Sequence, residues 1–250
     1  MPTEGKRLPP SANTGGGGTS DFTVIRIGPE RRVLPDRTGD ILSNDGVRVG
    51  GTDFDALLSL NAVMPLLGLG TNLIKKNLPM PNSLYFELAS WPTINFAYTF
   101  HNERMLLELI AGSREPQKVA RLLRVIRSRL GHRIAFAMEN SKIELSDSMT
   151  ALIALEFIEA DLTATATRRG FDETIATKTN QLQVTASRCI KNAGLKSDAI
   201  QTIFFTGGSS RVPAVREAIA RAAPAARAAS GSDFLSVALG LTREAQRRFG

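Results

Sequence analysis

Gly207-Gly208-Ser209-Ser210-Arg211-Val212-Pro213 joins a strand-like segment to a helix-like one. It follows Ala199-Ile200-Gln201-Thr202-Ile203-Phe204-Phe205-Thr206, an apolar run rich in β-branched and aromatic residues. It precedes a segment with Val215 and Ala222 at helical spacing. Strand, glycine turn and helix make an anion-binding corner. Glycines let the backbone approach a ligand, and the free N–H groups of a first helical turn point at it. The same layout also occurs as a plain tight turn, so the corner alone leaves both readings open.

Upstream, residues 171–193 carry Phe171, Ile175, Leu182, Ala186, Cys189 and Ile190 at helical spacing, with Gly194 as the C-cap. Residues 149–157 and 160–166 fit two short antiparallel strands. Residues 134–145 and 115–130 read as helices separated by a break at Gly131-His132, the second with Val119, Leu122, Leu123 and Ile126 on one face. Residues 95–111 read as another helix. Residues 68–96 hold Pro79, Pro81 and Pro92 and keep no period, so they read as an irregular excursion with short helical turns.

At the other end, 22–27 alternate as a strand, 33–44 form a weaker candidate strand, and 47–49 a short third one. Asp53 then begins a helix with Phe54, Leu57 and Leu58. Residues 1–15 are rich in Pro, Gly, Ser and basic side chains and read as disordered. The order of elements implies an α/β fold with an inserted, mainly helical α+β subdomain. The expected division is an α/β lobe from 16–55 and 195–250, and the insert from 56–194.

The 250 residues carry 42% hydrophobic and 22% charged side chains, an ordinary balance for a soluble globular protein. No apolar run approaches the roughly 20 residues that span a bilayer, and the N-terminus has no apolar signal-peptide core. One cysteine excludes an internal disulfide, and with two histidines it assembles no zinc constellation. Cys189 reads as a buried structural thiol. The net charge of +7 raises nucleic acid as a reading. Yet the seven arginines between 211 and 250 are spaced along helices without interleaved aromatics, as on a solvated face. Salt-dependent binding to DNA would revive that reading.

Three further motifs join the corner. Gly16-Gly17-Gly18-Thr19 leads into the first strand; Gly50-Gly51-Thr52-Asp53-Phe54-Asp55 leads into the first helix; Glu139, Lys142 and Ser146 share one helix face. Consecutive glycine N–H groups wrap a phosphate, with a threonine hydroxyl as a further donor. The helix stripe by itself reads equally as a solvent-facing polar row.

Together these motifs resemble the DnaK (seventy-kilodalton heat-shock) chaperone family. The corner resembles its adenosine motif, 16–19 its second phosphate loop, Gly50-Gly51-Thr52-Asp53-Phe54-Asp55 its "G-G-x-D-F-D", and the stripe its "E-x-x-K-x-x-L-S". The closing Ser236-Val237-Ala238-Leu239-Gly240-Leu241 resembles the family's last helix start, and the ending Arg247-Arg248-Phe249-Gly250 suits the shorter YegD-like branch. The resemblance implies the second, C-terminal lobe of an actin-like (ribonuclease H-like) ATPase domain. It further implies ATP/ADP and Mg²⁺ as cofactors and a cytoplasmic protein. Gly16, Gly17, Gly18, Thr19, Gly50 and Gly51 would meet phosphates. Glu139, Lys142, Ser146, Gly207, Gly208, Ser209 and Arg211 would meet adenosine, with the Arg211 plane stacked on the base.

The chain departs from the family at several points. Ile143 stands where the family often has an arginine after the lysine. Thr14 stands where an acid opens the second phosphate loop. The first phosphate loop and the first-lobe lysine and glutamate have no counterpart. The resemblance therefore implies a truncated, ATP-binding chaperone-family chain with no catalytic residue of its own. The other reading is a catalytically inactive interaction module pairing with a separate first lobe, a client protein or a co-chaperone.

Overall fold

The computed structural model describes residues 18–31 and 36–230, together with positions 242 and 246. The segment 1–15, Gly16, Gly17 and the motif at 236–241 lie outside the described residues. The two ends of the described chain meet on one long helix, and a helical unit fills the space between.

Strand β1 (Ser20–Ile25) alternates half-buried and exposed residues, as its sequence does. It pairs antiparallel with β2 (Ile41–Val47), Ser20 opposite Val47 and Ile25 opposite Ile41, with a register shift at Val24/Ile25. The separate strand expected at 47–49 does not form. Val47 ends β2, and the Val49 N–H bonds back to the Val47 carbonyl at 2.9 Å, which turns the chain.

Helix α1 (Gly51–Ala62) begins directly after this turn. The Gly50 N–H donates to Asp53 Oδ2 at 2.9 Å, which satisfies one orphan donor at the helix start. Phe54 and Leu58 face the core. Within 68–96 the chain is more ordered than its prolines suggest. It contains α2 (Ser83–Ala89), whose Leu84, Tyr85 and Leu88 are buried. Tyr85 donates to the Leu67 carbonyl at 3.1 Å, and burial pushes its phenol up.

Three helices follow: α3 (Phe100–Gly112), α4 (Pro116–Arg127) and α5 (Gly131–Asp147). Gly131-His132 does not end a helix but opens α5. The reversal occurs two residues before Gly131, at Arg129, with φ of 51°. Gly131 is there for space: a Cβ on it would sit 2.6 Å from Tyr98 Oη and 2.7 Å from Ile94 Cγ2.

Strands β3 (Thr150–Ala154) and β4 (Thr163–Thr167) pair antiparallel, Thr150 opposite Thr167. They turn Ala151, Ile153, Ala164 and Ala166 inward. Helix α6 (Arg168–Asn192) is 25 residues, about 37 Å long at 1.5 Å per residue. Strand β5 (Thr202–Phe205) runs into the 3₁₀ turn Gly208–Arg211 and α7 (Pro213–Ala222). Strand β6 (Arg227–Ser230) lies parallel to β5. It has no β-branched or aromatic residue, so its pairing comes from tertiary context rather than propensity.

Helix α6 belongs to two cores. Phe171, Ile175 and Leu182 join the main one, with Leu122 and Ile126 from α4, Ile134 and Met138 from α5, and Val212 and Val215. Ala186 and Ile190 join a smaller one with Ala222, Ala223, Phe22, Val24 and Ile203. Cys189 is buried under the β1–β2 hairpin, 3.3 Å from Ser43 Oγ and 3.4 Å from the Phe22 carbonyl. No helix among the described residues is long and apolar enough to cross a membrane.

Candidate functional site

Three segments far apart in sequence converge at the start of α1. A Cβ placed on Gly51 would lie 3.1 Å from Ser209 Oγ and 3.2 Å from Lys142 Nζ. Gly51 opens α1, Lys142 lies in the middle of α5, and Ser209 belongs to the turn after β5. The packing of α1 and α5 in the main core, through Phe54, Leu58, Ile134 and Met138, sets the first two side by side. Val212 and Val215, anchored in the same core, bring in the third.

Lys142 is largely buried, its side chain 11% exposed. Its ammonium donates to Asp55 Oδ2 at 2.9 Å and lies 2.9 Å from Oδ1 as well. A longer contact of 3.4 Å reaches the Gly51 carbonyl. Asp55 stands four residues after Gly51, hence on the same face of α1. Burial pushes its carboxyl above the ordinary range, Lys142 opposes that shift, and Glu139 adds to it. In sequence Asp55 is only the last residue of the Gly50–Asp55 motif; its partner across 87 residues is visible in the structure alone.

Glu139 is exposed, one turn before Lys142. Ser146, one turn after it, is half-buried and donates back to the Lys142 carbonyl at 3.0 Å. Gly207 adopts φ 81° and ψ 155°, a region open essentially to glycine. Its carbonyl accepts from Ser210 Oγ at 2.7 Å, which closes the turn. Arg216 braces the turn from α7: its Nε donates to the Ser210 carbonyl at 2.7 Å, and its guanidinium lies 4.7 Å from the centre of the Phe205 ring. Arg211 is exposed at the end of the turn.

Gly18 and Thr19 are exposed just before β1. The next residue, Ser20, donates to the Val49 carbonyl at 2.7 Å, which ties this strand start to the segment entering Gly50-Gly51. The structure therefore gathers Gly51, Lys142 and Ser209, adds Asp55, and flanks them with Glu139, Ser146, Gly18, Thr19 and Gly50. Gly16 and Gly17 lie outside the described residues.

This surface suits a ligand that meets backbone. Nothing lies within 4 Å of a Cβ placed at Gly18, Gly207 or Gly208. It does not suit a protein-held metal: among the described residues no three His, Cys, Asp or Glu side chains gather to hold one. Two grooves lie elsewhere. One of about 370 Å³ separates the outer face of α5 from β3, with Phe136, Glu144, Leu152 and Phe157 in its walls. The other, about 490 Å³, lies between Arg48 and the Lys178–Arg188 part of α6.

The family model for Hsp70 protein matches residues 123–231. The span includes the stripe Glu139, Lys142 and Ser146 and the corner Gly207, Gly208, Ser209 and Arg211; Gly18, Thr19, Gly50 and Gly51 fall outside it. An Hsp70 match implies the actin-like ATPase fold and, in general terms, use of nucleotide and Mg²⁺. The match covers the part of the chain that supplies two of the three converging segments, Lys142 and Ser209, and over that part the chain is similar to Hsp70 proteins.

Proposed function

We propose that this chain binds an adenine nucleotide, ATP or ADP, on the surface where α1, α5 and the turn after β5 meet. It would act as the C-terminal lobe of an actin-like ATPase. The observation that carries the reading is the approach of Ser209 Oγ and Lys142 Nζ to within 3.1 and 3.2 Å of the position a Cβ on Gly51 would take. Lys142 and Glu139 address the ribose hydroxyls, Ser146 the base edge, and Arg211 the base face. Gly207, Gly208 and Ser209 meet the adenosine, and the loops Gly18-Thr19 and Gly50-Gly51 meet the phosphates.

Phosphoryl transfer requires charge neutralisation and a positioned nucleophile together. The first-lobe lysine and glutamate that serve the family have no matching motif here, and Thr14 replaces the acid of the second phosphate loop. The chain alone is proposed to bind without appreciable turnover. Titration calorimetry with ATP and ADP, with and without Mg²⁺, tests the binding; release of inorganic phosphate tests the turnover. Tight binding with steady hydrolysis would refute the second half of this reading, and no binding by the folded chain would refute the first.

A second reading, a catalytically inactive module that docks a co-chaperone, client or separate first lobe, has one observation in its favour. Aromatic side chains stand exposed on the helical unit. Trp91 packs edge-on against His132 and Phe136 at 4.9 and 5.6 Å, and Phe96 and Phe100 are exposed as well. Exposed apolar groups in numbers mark contact surfaces. Replacing Trp91 and Phe136 by serine would abolish partner capture and spare nucleotide binding.

A further inference from the structure

We propose that Asp55 is the residue that positions Lys142, an assignment that rests on the nucleotide reading and deepens it. The lysine carries three ammonium protons. The Asp55 carboxylate accepts one of them at Oδ2, 2.9 Å away; its Oδ1 stands at 2.9 Å in the ion pair but accepts no hydrogen bond. Another proton faces the Gly51 carbonyl at 3.4 Å, a long contact that a ligand oxygen can replace. Without Asp55, a four-carbon side chain with rotamer freedom would have to be ordered by the ligand itself.

The burial of the pair makes the arrangement specific. Side chains 11% and 16% exposed leave few alternative partners. An unpaired charge at that depth is costly, so the two remain together. Glu139, on the same face of α5 as Lys142, is the other acid that acts on Asp55. It is exposed and solvated, so it does not replace Asp55 as an anchor. Asp53, on the same helix, is turned elsewhere: its carboxylate meets the Gly50 N–H at 2.9 Å and Lys178 Nζ at 3.5 Å. Asp55 thus acts through Lys142.

The test is a double-mutant cycle on the whole chain, read as ADP affinity by calorimetry on variants whose folding is checked by circular dichroism. Asp55→Asn keeps the shape and removes the charge. It is expected to weaken ADP by about tenfold, the scale of one charge-assisted hydrogen bond. Lys142→Met is expected to weaken ADP by a similar factor, and the double variant no further than Lys142→Met alone. Asp55→Glu, which restores the charge, is expected to recover part of the loss. Wild-type affinity in Asp55→Asn overturns the proposal, as does a double variant clearly weaker than Lys142→Met.

A ligand-free measurement separates the two claims. The acetylation rate of Lys142 by acetic anhydride, read by mass spectrometry, should be low in the wild type and rise about tenfold in Asp55→Asn. Equal rates overturn the positioning role. If the wild type binds no ADP but the rates differ as expected, the pairing stands and the nucleotide reading falls.

Discussion

The helical unit and the strand-built end of this molecule are held together differently. In the helical unit, large side chains such as Met64, Leu67, Tyr85, Leu122 and Met138 are sealed from solvent. At the strand-built end the second core rests on Ala186, Ile190, Ala222 and Ala223, with Phe22, Val24 and Ile203 only partly covered. Burial free energy grows with apolar area removed from water, so the first region resists deformation more than the second. The candidate site spans both. Gly51 and the charged pair Asp55 and Lys142 stand on helices of the deeper core, while Gly18, Thr19 and the glycines after β5 stand at strand ends.

The largest effect that tests this contrast is cavity formation. Leu122→Ala should cost about 2–5 kcal/mol, whereas Val24→Ala, from a half-buried position, should cost about 1 kcal/mol. Chemical denaturation of both variants checks the difference, and equal losses would break the comparison. Next come the two glycines whose need is geometric. Gly131→Ala forces a Cβ against Ile94 and Tyr98, at about 1–3 kcal/mol. Gly207→Ala imposes a side chain at φ 81°, ψ 155°, also at about 1–3 kcal/mol. The two should differ in kind. Gly131→Ala lowers the melting temperature and leaves nucleotide affinity near wild type, while Gly207→Ala weakens affinity because Ser209 moves with the turn.

The smallest effect is the pH dependence, and it has opposite sign in the two regions. Asp45, on β2, accepts from Arg188 Nε at 2.5 Å and from Nη2 at 2.9 Å, which holds its carboxyl below the ordinary range. Its contribution is present above the ordinary carboxylate value and is lost as pH falls through the lowered one. Asp55 is raised by burial, with Lys142 opposing and Glu139 assisting. Its contribution is full below the ordinary value and declines as pH rises towards the raised one. Urea unfolding across the acid range should therefore show a positive slope lost in Asp45→Asn and a negative slope lost in Asp55→Asn. Salt should weaken the Asp45 effect more, since Arg188 is half exposed.

Elements with strong periodicity were legible from sequence: the apolar face of α4, the long stripe of α6, the β3–β4 pair, and the strand-turn-helix at Gly207. Elements set by distant packing were not. Helix α2 lies among prolines that hide its period, and β6 is built of alanines with little strand preference of their own. The α4–α5 reversal uses Arg129 at positive φ, where the sequence points instead to the glycine two residues on. Within the candidate site, the glycines and the Glu139–Lys142–Ser146 face were readable because their spacing is local. Asp55 was not, because its role depends on a partner 87 residues away.

The most direct test of the nucleotide site is calorimetric titration of ADP into the wild-type chain and into Gly208→Asp. Nothing lies within 4 Å of a Cβ at Gly208, so the aspartate is tolerated by the fold yet sets a charged side chain in the corner proposed to hold the adenosine. The account predicts saturable binding by the wild type and its loss in a Gly208→Asp chain with an unchanged circular dichroism spectrum. Absence of binding by the folded wild type, or equal binding by both chains, would contradict it.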